Sequence, residues 1–172
     1  MKQIYFVLTY TGTILSRIVR IFMKDEYGHV SLSLDKDLTQ MYSFGRLNPY
    51  NTFRGGFVHE HVHGGTFKRF KKTSAKVVCL EVNDEQYNKL VKNIKEFEEK
   101  KDDFKFNTLG LFAVYFKKRI EREKRFYCAE FVKYIIEEAD INLNLPEIIR
   151  PQDFNYINQS TQIYKGLLRE YC

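Results

Sequence analysis

The chain has no tryptophan, and among its 172 residues there are only three cysteines and no CxxC pair. An odd, sparse set of thiols at Cys79, Cys128 and Cys172 argues against a disulfide scaffold and for a reducing compartment. No run of about 18 apolar residues is present to span a membrane. Met1–Thr13 is too short and too polar for a signal peptide, because Thr9, Tyr10, Thr11 and Gly12 interrupt its apolar run. A soluble cytoplasmic protein is therefore expected. Helix-turn-helix, zinc-finger and aromatic RNA-binding motifs are also missing. The net charge of +6, densest at Lys68–Lys72 and Lys117–Lys124, permits contact with nucleic acid or anionic lipid, but no nucleic-acid partner is expected. With no internal repeat, low-complexity tract or interdomain linker, residues 1–172 read as one domain, long enough to bury a sizeable core.

What is there is an ordinary globular composition, 44% hydrophobic and 29% charged, with 16% aromatic residues that are all Phe and Tyr. Ile4–Leu8 is a continuous β-branched and aromatic run, read as a buried strand. Thr13 is placed to cap a helix carrying Ile14, Ile18, Ile21 and Phe22. After the Tyr27-Gly28 break, His29–Leu34 alternates as a strand. Asp35–Asp37 is turn chemistry, and Leu38–Gly45 reads as the returning strand. A three-residue loop pairs Leu34 with Leu38 and sets His29 directly across from Ser43, on one face. A loop one residue shorter or longer sets Tyr42 or Phe44 there instead.

Arg46–Phe57 reads as a loop, punctuated by Pro49, two Asn and Gly55-Gly56, and Gly56–His63 as a short strand. Lys76–Val82 is a further strand. A helix capped by Asn83 or Asp84 runs to about Lys101, with Leu90, Val91, Ile94 and Phe97 as its buried stripe. Asn107–Ile120 is a second helix. Gln162–Tyr171 closes the chain as a strand or short helix.

The chemistry centres on Cys128. From Cys128 the apolar positions Phe131, Val132, Ile135, Ile136 and Ala139 fall on one helical face, so Cys128 opens an amphipathic helix. Unpaired N–H groups and the positive end of the helix dipole favour a thiolate there. The other reading of this stretch is a small apolar filler in a first turn. A nucleophilic thiol needs an imidazole within hydrogen-bond reach. His29 opens a strand after a glycine break and fits that need, although alternation groups it with Ser31 and Ser33, away from Val30 and Leu32. The remaining histidines form His59-Glu60-His61-Val62-His63. Alternating His59, His61 and His63 on a strand are a candidate zinc set with Glu60 as base, or a solvated histidine run.

Gly28–Leu34, Met41–Arg46 and, far downstream, Phe126–Phe131 together resemble the circularly permuted branch of the NlpC-type papain-like superfamily, to which lecithin:retinol acyltransferase-like enzymes belong. In that branch the histidine strand precedes the cysteine helix, as here. The resemblance runs from about Ile4 to Tyr171. It implies an α+β fold, an antiparallel sheet or half-barrel packed against a Cys-bearing helix. It also implies a thiol-dependent peptidase, amidase or acyltransferase needing no cofactor or metal and acting on a peptide or acyl substrate. Cys128 matches the nucleophile and His29 the general base and acid. The third, imidazole-orienting group lies on the returning strand, which the three-residue loop assigns to Ser43, where relatives often carry His, Glu or Gln. Tyr10, Tyr127 and Arg46 are candidate oxyanion or substrate contacts, joined by Tyr50 and Arg54 as further substrate contacts. The alternatives are a binding module on the same fold and a zinc hydrolase using the 59–63 histidines.

Overall fold

The first apolar run forms β1 (Lys2–Tyr10), and it is buried on both faces because it lies inside a sheet covered on each side. In a computed structural model that describes residues 1–13, 16–17 and 25–171, β1 is joined by β2 (His29–Ser33), β3 (Met41–Asn48), β4 (Asn51–Glu60), β5 (Ser74–Val82) and β8 (Thr161–Leu167). They make a six-stranded antiparallel sheet in the order β4-β3-β2-β1-β5-β8. The chain is thus of the mixed α+β class. Ile14, Ile18, Ile21, Phe22 and Cys172 lie outside the described residues. Thr13 Oγ1 accepts from the Ser16 N–H at 3.2 Å, the contact expected of a capping residue, while the rest of that expected helix is not described.

One sheet face presents Ile4, Phe6, Leu8, Val30, Leu32, Tyr42 and Phe44. Two helices cover it: α2 (Asp84–Glu99), which Asn83 caps through Gln86 N–H at 2.8 Å, and α4 (Cys128–Glu137). Leu90, Ile94 and Phe97 bury as expected, while Val91 is only partly covered. Phe44 is a hub, its ring centroid 5.2 Å from Phe131, 5.4 Å from Phe126 and 6.2 Å from Phe97. The other face packs Tyr5, Val7, Met41, Val77 and Cys79 against Phe67 of the short α1 (Gly65–Arg69) and against Leu168. Gln162–Tyr171 is both of the alternatives in turn, β8 followed by a 3-10 turn.

Two hairpins differ from the sequence reading. Leu34 does not face Leu38: it bonds to Gln40, Leu32 pairs with Tyr42 and Ser33 with Met41. The Asp35 carboxylate gathers the Thr39 and Gln40 N–H groups at 3.1 and 2.8 Å, which closes a five-residue loop over Asp35–Thr39. Leu38, at φ 54°, turns inward as an apolar plug. The observed pairs are therefore shifted by two residues from the expected ones, a register that, continued, sets Ser43 by Ser31 and Gly45 by His29. A two-residue shift preserves the face, so Ser43 stays on the His29 side.

The expected loop at 46–57 is instead the tip of a β3–β4 hairpin. Asn48 pairs with Asn51 around Pro49-Tyr50. Gly55-Gly56 sit inside β4, because Phe106 of β6 (Lys105–Phe106) crosses so close that a Cβ on Gly55 would lie 2.8 Å from it. Helix α3 (Thr108–Tyr115) is shorter than expected, ending before Lys117 at φ 53°. β6 pairs in parallel with β7 (Arg125–Phe126), which leads into α4. Among the described residues, no helix is long and apolar enough to cross a membrane.

Candidate active site

Cys128 is the first residue of α4, so its N–H has no acceptor within the helix. The turn is held from below: Glu130 accepts the Tyr127 N–H at 3.1 Å and a hydrogen from Asn107 Nδ2 at 3.2 Å. Asn107 is fully buried and also caps α3 through Gly110 N–H at 3.0 Å. Burial pushes the Glu130 carboxyl up against the opposing pull of those two donors. The apolar face of α4 packs against β2 and β3, and Cys128 itself is 3% exposed.

His29 is the first residue of β2, paired with Thr9 of β1, so its ring stands at the rim of the sheet. Its strand parity holds: its hydrogen-bonding partners lie on the face it shares with Ser31. Its Nε2 lies 3.1 and 3.3 Å from the two carboxylate oxygens of Glu60, 3.2 Å from Ser43 Oγ and 3.3 Å from Ser31 Oγ. The hydroxyl protons are committed elsewhere: Ser31 donates to Glu60, and Ser43 to the Val30 carbonyl at 3.2 Å. Nε2 therefore carries a hydrogen that Glu60 accepts, and Cys128 is the other group that favours the charged form of the ring. Burial works against a charged imidazole. The Glu60 carboxylate and Cys128 outweigh it and raise His29 from 6.5 to about 10.

Glu60 closes β4 opposite Met41, and its side chain runs back along the sheet to His29. Gly45 leaves the room: a Cβ there would stand 3.4 Å from Glu60 Oε1 and 3.6 Å from His29 Cε1. Sequence reasoning placed Glu60 only in the histidine run. The signal that could have found it is parity, since Glu60 alternates with His59 and shares a strand face with Val58.

The structure thus brings Cys128, His29 and Ser43 together, with Ser43 arriving by a different register and Glu60 as the charged partner. Tyr127 is not turned to this site. It is 2% exposed, and its hydroxyl donates to the Ile149 carbonyl at 2.8 Å. Tyr10 ends β1 on the helix-bearing side, one residue past the partner of His29. Arg46 follows Gly45, with Nη2 3.1 Å from Thr13 Oγ1. Tyr50, at the hairpin tip, is exposed, as is Arg54.

The rings of His59 and His61 lie 4.5 Å apart, but the three other histidines do not form a ligand set. β4 ends before His61, and His59 Nε2 lies 2.7 Å from the Thr39 carbonyl while its ring stacks on Tyr42. Among the described residues, no three His, Cys, Asp or Glu side chains gather as a metal-ligand set. A cavity of about 460 Å³ at the far end of α4, lined by Glu137, Asp140, Ile141 and Leu145 among others, contains none of the residues around Cys128.

Chemically, the arrangement is a thiol at a helix start, an imidazole whose charge that thiol influences, and a carboxylate bonded to the imidazole Nε2. Such a set can generate a thiolate, carry a proton and stabilise an oxyanion. No family model, curated protein or solved structure matches the chain.

Proposed function

We propose that this chain is a thiol-dependent acyl-transfer enzyme of the permuted papain-like kind, cleaving an amide or ester by way of a thioester. The observation that carries the reading is His29, bonded to the Glu60 carboxylate through Nε2, with its charge favoured by both Glu60 and Cys128. A serine alone orients an imidazole but gives an imidazolium little stabilisation. Glu60 supplies the missing charge.

In the proposed reaction the proton of the Cys128–His29 pair is held on the imidazole, and the sulfur attacks the carbonyl carbon. The Cys128 N–H, at the positive end of α4, is placed to receive the oxyanion. As the C–N or C–O bond breaks, His29 returns its proton to the departing nitrogen or oxygen. Water, or another nucleophile that gives its proton to His29, then attacks the thioester and releases the acyl group with a regenerated thiol. Cell-wall peptides, isopeptides and lipid acyl groups are the substrate classes for this chemistry.

The test is trapping of the acyl-enzyme. With an activated acyl ester, peptide mass mapping is expected to find the acyl group on Cys128 in the wild type and none in Cys128→Ser or His29→Ala. Absence of acylation in the wild type, or equal acylation in His29→Ala, overturns the reading.

A further inference from the structure

We infer that Arg46 and Arg69 form an oxyanion-binding subsite beside the Cys128–His29 pair, and that the substrate carries a carboxylate or phosphate group seated there. This rests on the acyl-transfer reading for its place in the reaction, though not for the binding itself.

The two guanidinium groups converge on one ring. Arg46 stands 5.9 Å and Arg69 5.2 Å from the centroid of Phe70, and Arg69 also lies 4.3 Å over Tyr50. Arg69 Nη1 is fixed by the Pro49 carbonyl at 2.5 Å, and Arg46 Nη2 by Thr13 Oγ1 at 3.1 Å. Both anchors are neutral. Among the described residues neither arginine makes an ion pair with a carboxylate, and the undescribed residues 14–15 and 18–24 contain no Asp or Glu. Burial and then the facing Arg69 charge both work against the charge on Arg46, drawing its pKa down.

Two like charges held on one aromatic ring, with no acid between them, are stabilised by an incoming anion. Guanidinium forks match the paired oxygens of a carboxylate or phosphate. Position ties this subsite to the chemistry. Arg46 follows Gly45, whose Cα carries no side chain between it and the His29 ring, 3.6 Å from where its Cβ would be. The subsite thus begins one residue along the strand from the position that abuts His29, and the alkylation comparison below reads whether an anion bound there bears on Cys128.

The test uses sodium phosphate and sodium acetate as probes at constant ionic strength, following the Arg46 and Arg69 side-chain N–H resonances of the whole chain. A saturable shift at both arginines is expected with at least one probe. The affinity should weaken at least tenfold in both Arg46→Gln and Arg69→Gln, whose folding is checked by their backbone spectra. The probe that saturates tells a carboxylate from a phosphate. Non-saturating shifts, or unchanged affinity in the variants, overturn the subsite. In parallel, the ratio of Cys128 alkylation by anionic iodoacetate to that by neutral iodoacetamide is expected to fall several-fold in both variants, and an unchanged ratio removes the subsite from the reaction. If Cys128 reacts with neither reagent while the arginines bind anions, it is the acyl-transfer reading that fails.

Discussion

Nε2 of His29 stands 3.1 Å from Oε1 of Glu60, a contact made across a strand that lies between them in the sheet. It holds the Nε2 hydrogen on the carboxylate and so orients the ring. It also raises the imidazole to about 10. Four expectations follow from this contact and the packing that supports it.

Removing the charge on Glu60 should release the proton from His29. In the wild type the His29 Cε1–H resonance is expected to titrate near 10, and in Glu60→Gln far closer to the ordinary 6.5. The direction for stability follows. A group whose pKa is higher folded than unfolded contributes fully below the unfolded value, and the contribution is lost as pH rises through the folded one. The stability advantage of wild type over Glu60→Gln should therefore be largest below about pH 6.5 and shrink towards about pH 10, as read by denaturant unfolding at several pH values.

Ser43→Ala should separate orientation from charge. It removes the hydroxyl that bonds the Val30 carbonyl in a fully buried place, at a cost of about 1 kcal/mol. Because Glu60 remains, the His29 titration should move much less than in Glu60→Gln. An equal shift in the two variants would return the third role to Ser43.

Gly55→Ala tests the close crossing of β4 by Phe106. The new methyl would meet Phe106 Cβ at 2.8 Å, so unfolding should be easier by about 1–3 kcal/mol. Thermal melts of Gly55→Ala beside Gly56→Ala, whose nearest neighbour would be 3.4 Å away, provide the comparison.

Phe44→Ala should cost about 3–5 kcal/mol, since its ring is fully buried among Phe57, Phe97, Phe126 and Phe131. Chemical denaturation gives the figure. A loss below about 1 kcal/mol would mean that α4 is not seated on β3 as described.

The parts of this fold that a sequence states plainly are those set by period. β1, β2, β5, α2 and α4 stand out because each apolar stripe meets one continuous core. Register did not stand out, because it depends on how Asp35 folds the chain around itself, and the backbone of Leu38 takes a positive φ that no apolar pattern announces. The β3–β4 hairpin was hidden for a related reason. Gly55 and Gly56 read as punctuation, yet they are where Phe106, about fifty residues downstream, needs the space. Cys128 at a helix start and His29 at a strand start are both readable from the sequence, whereas Glu60 is masked by the histidines on either side of it. Its partner only becomes visible once β4 is laid beside β3.

The most direct test of the Cys128–His29–Glu60 arrangement is the pH dependence of Cys128 alkylation by iodoacetamide, with Cys79→Ser and Cys172→Ser in the background. At neutral pH the wild type is expected to be alkylated at Cys128 many times faster than His29→Ala, because the imidazole holds the proton of the pair. A profile in which Cys128 is inert, or rises like an ordinary thiol in both proteins, would contradict the arrangement and leave the fold as a scaffold for binding.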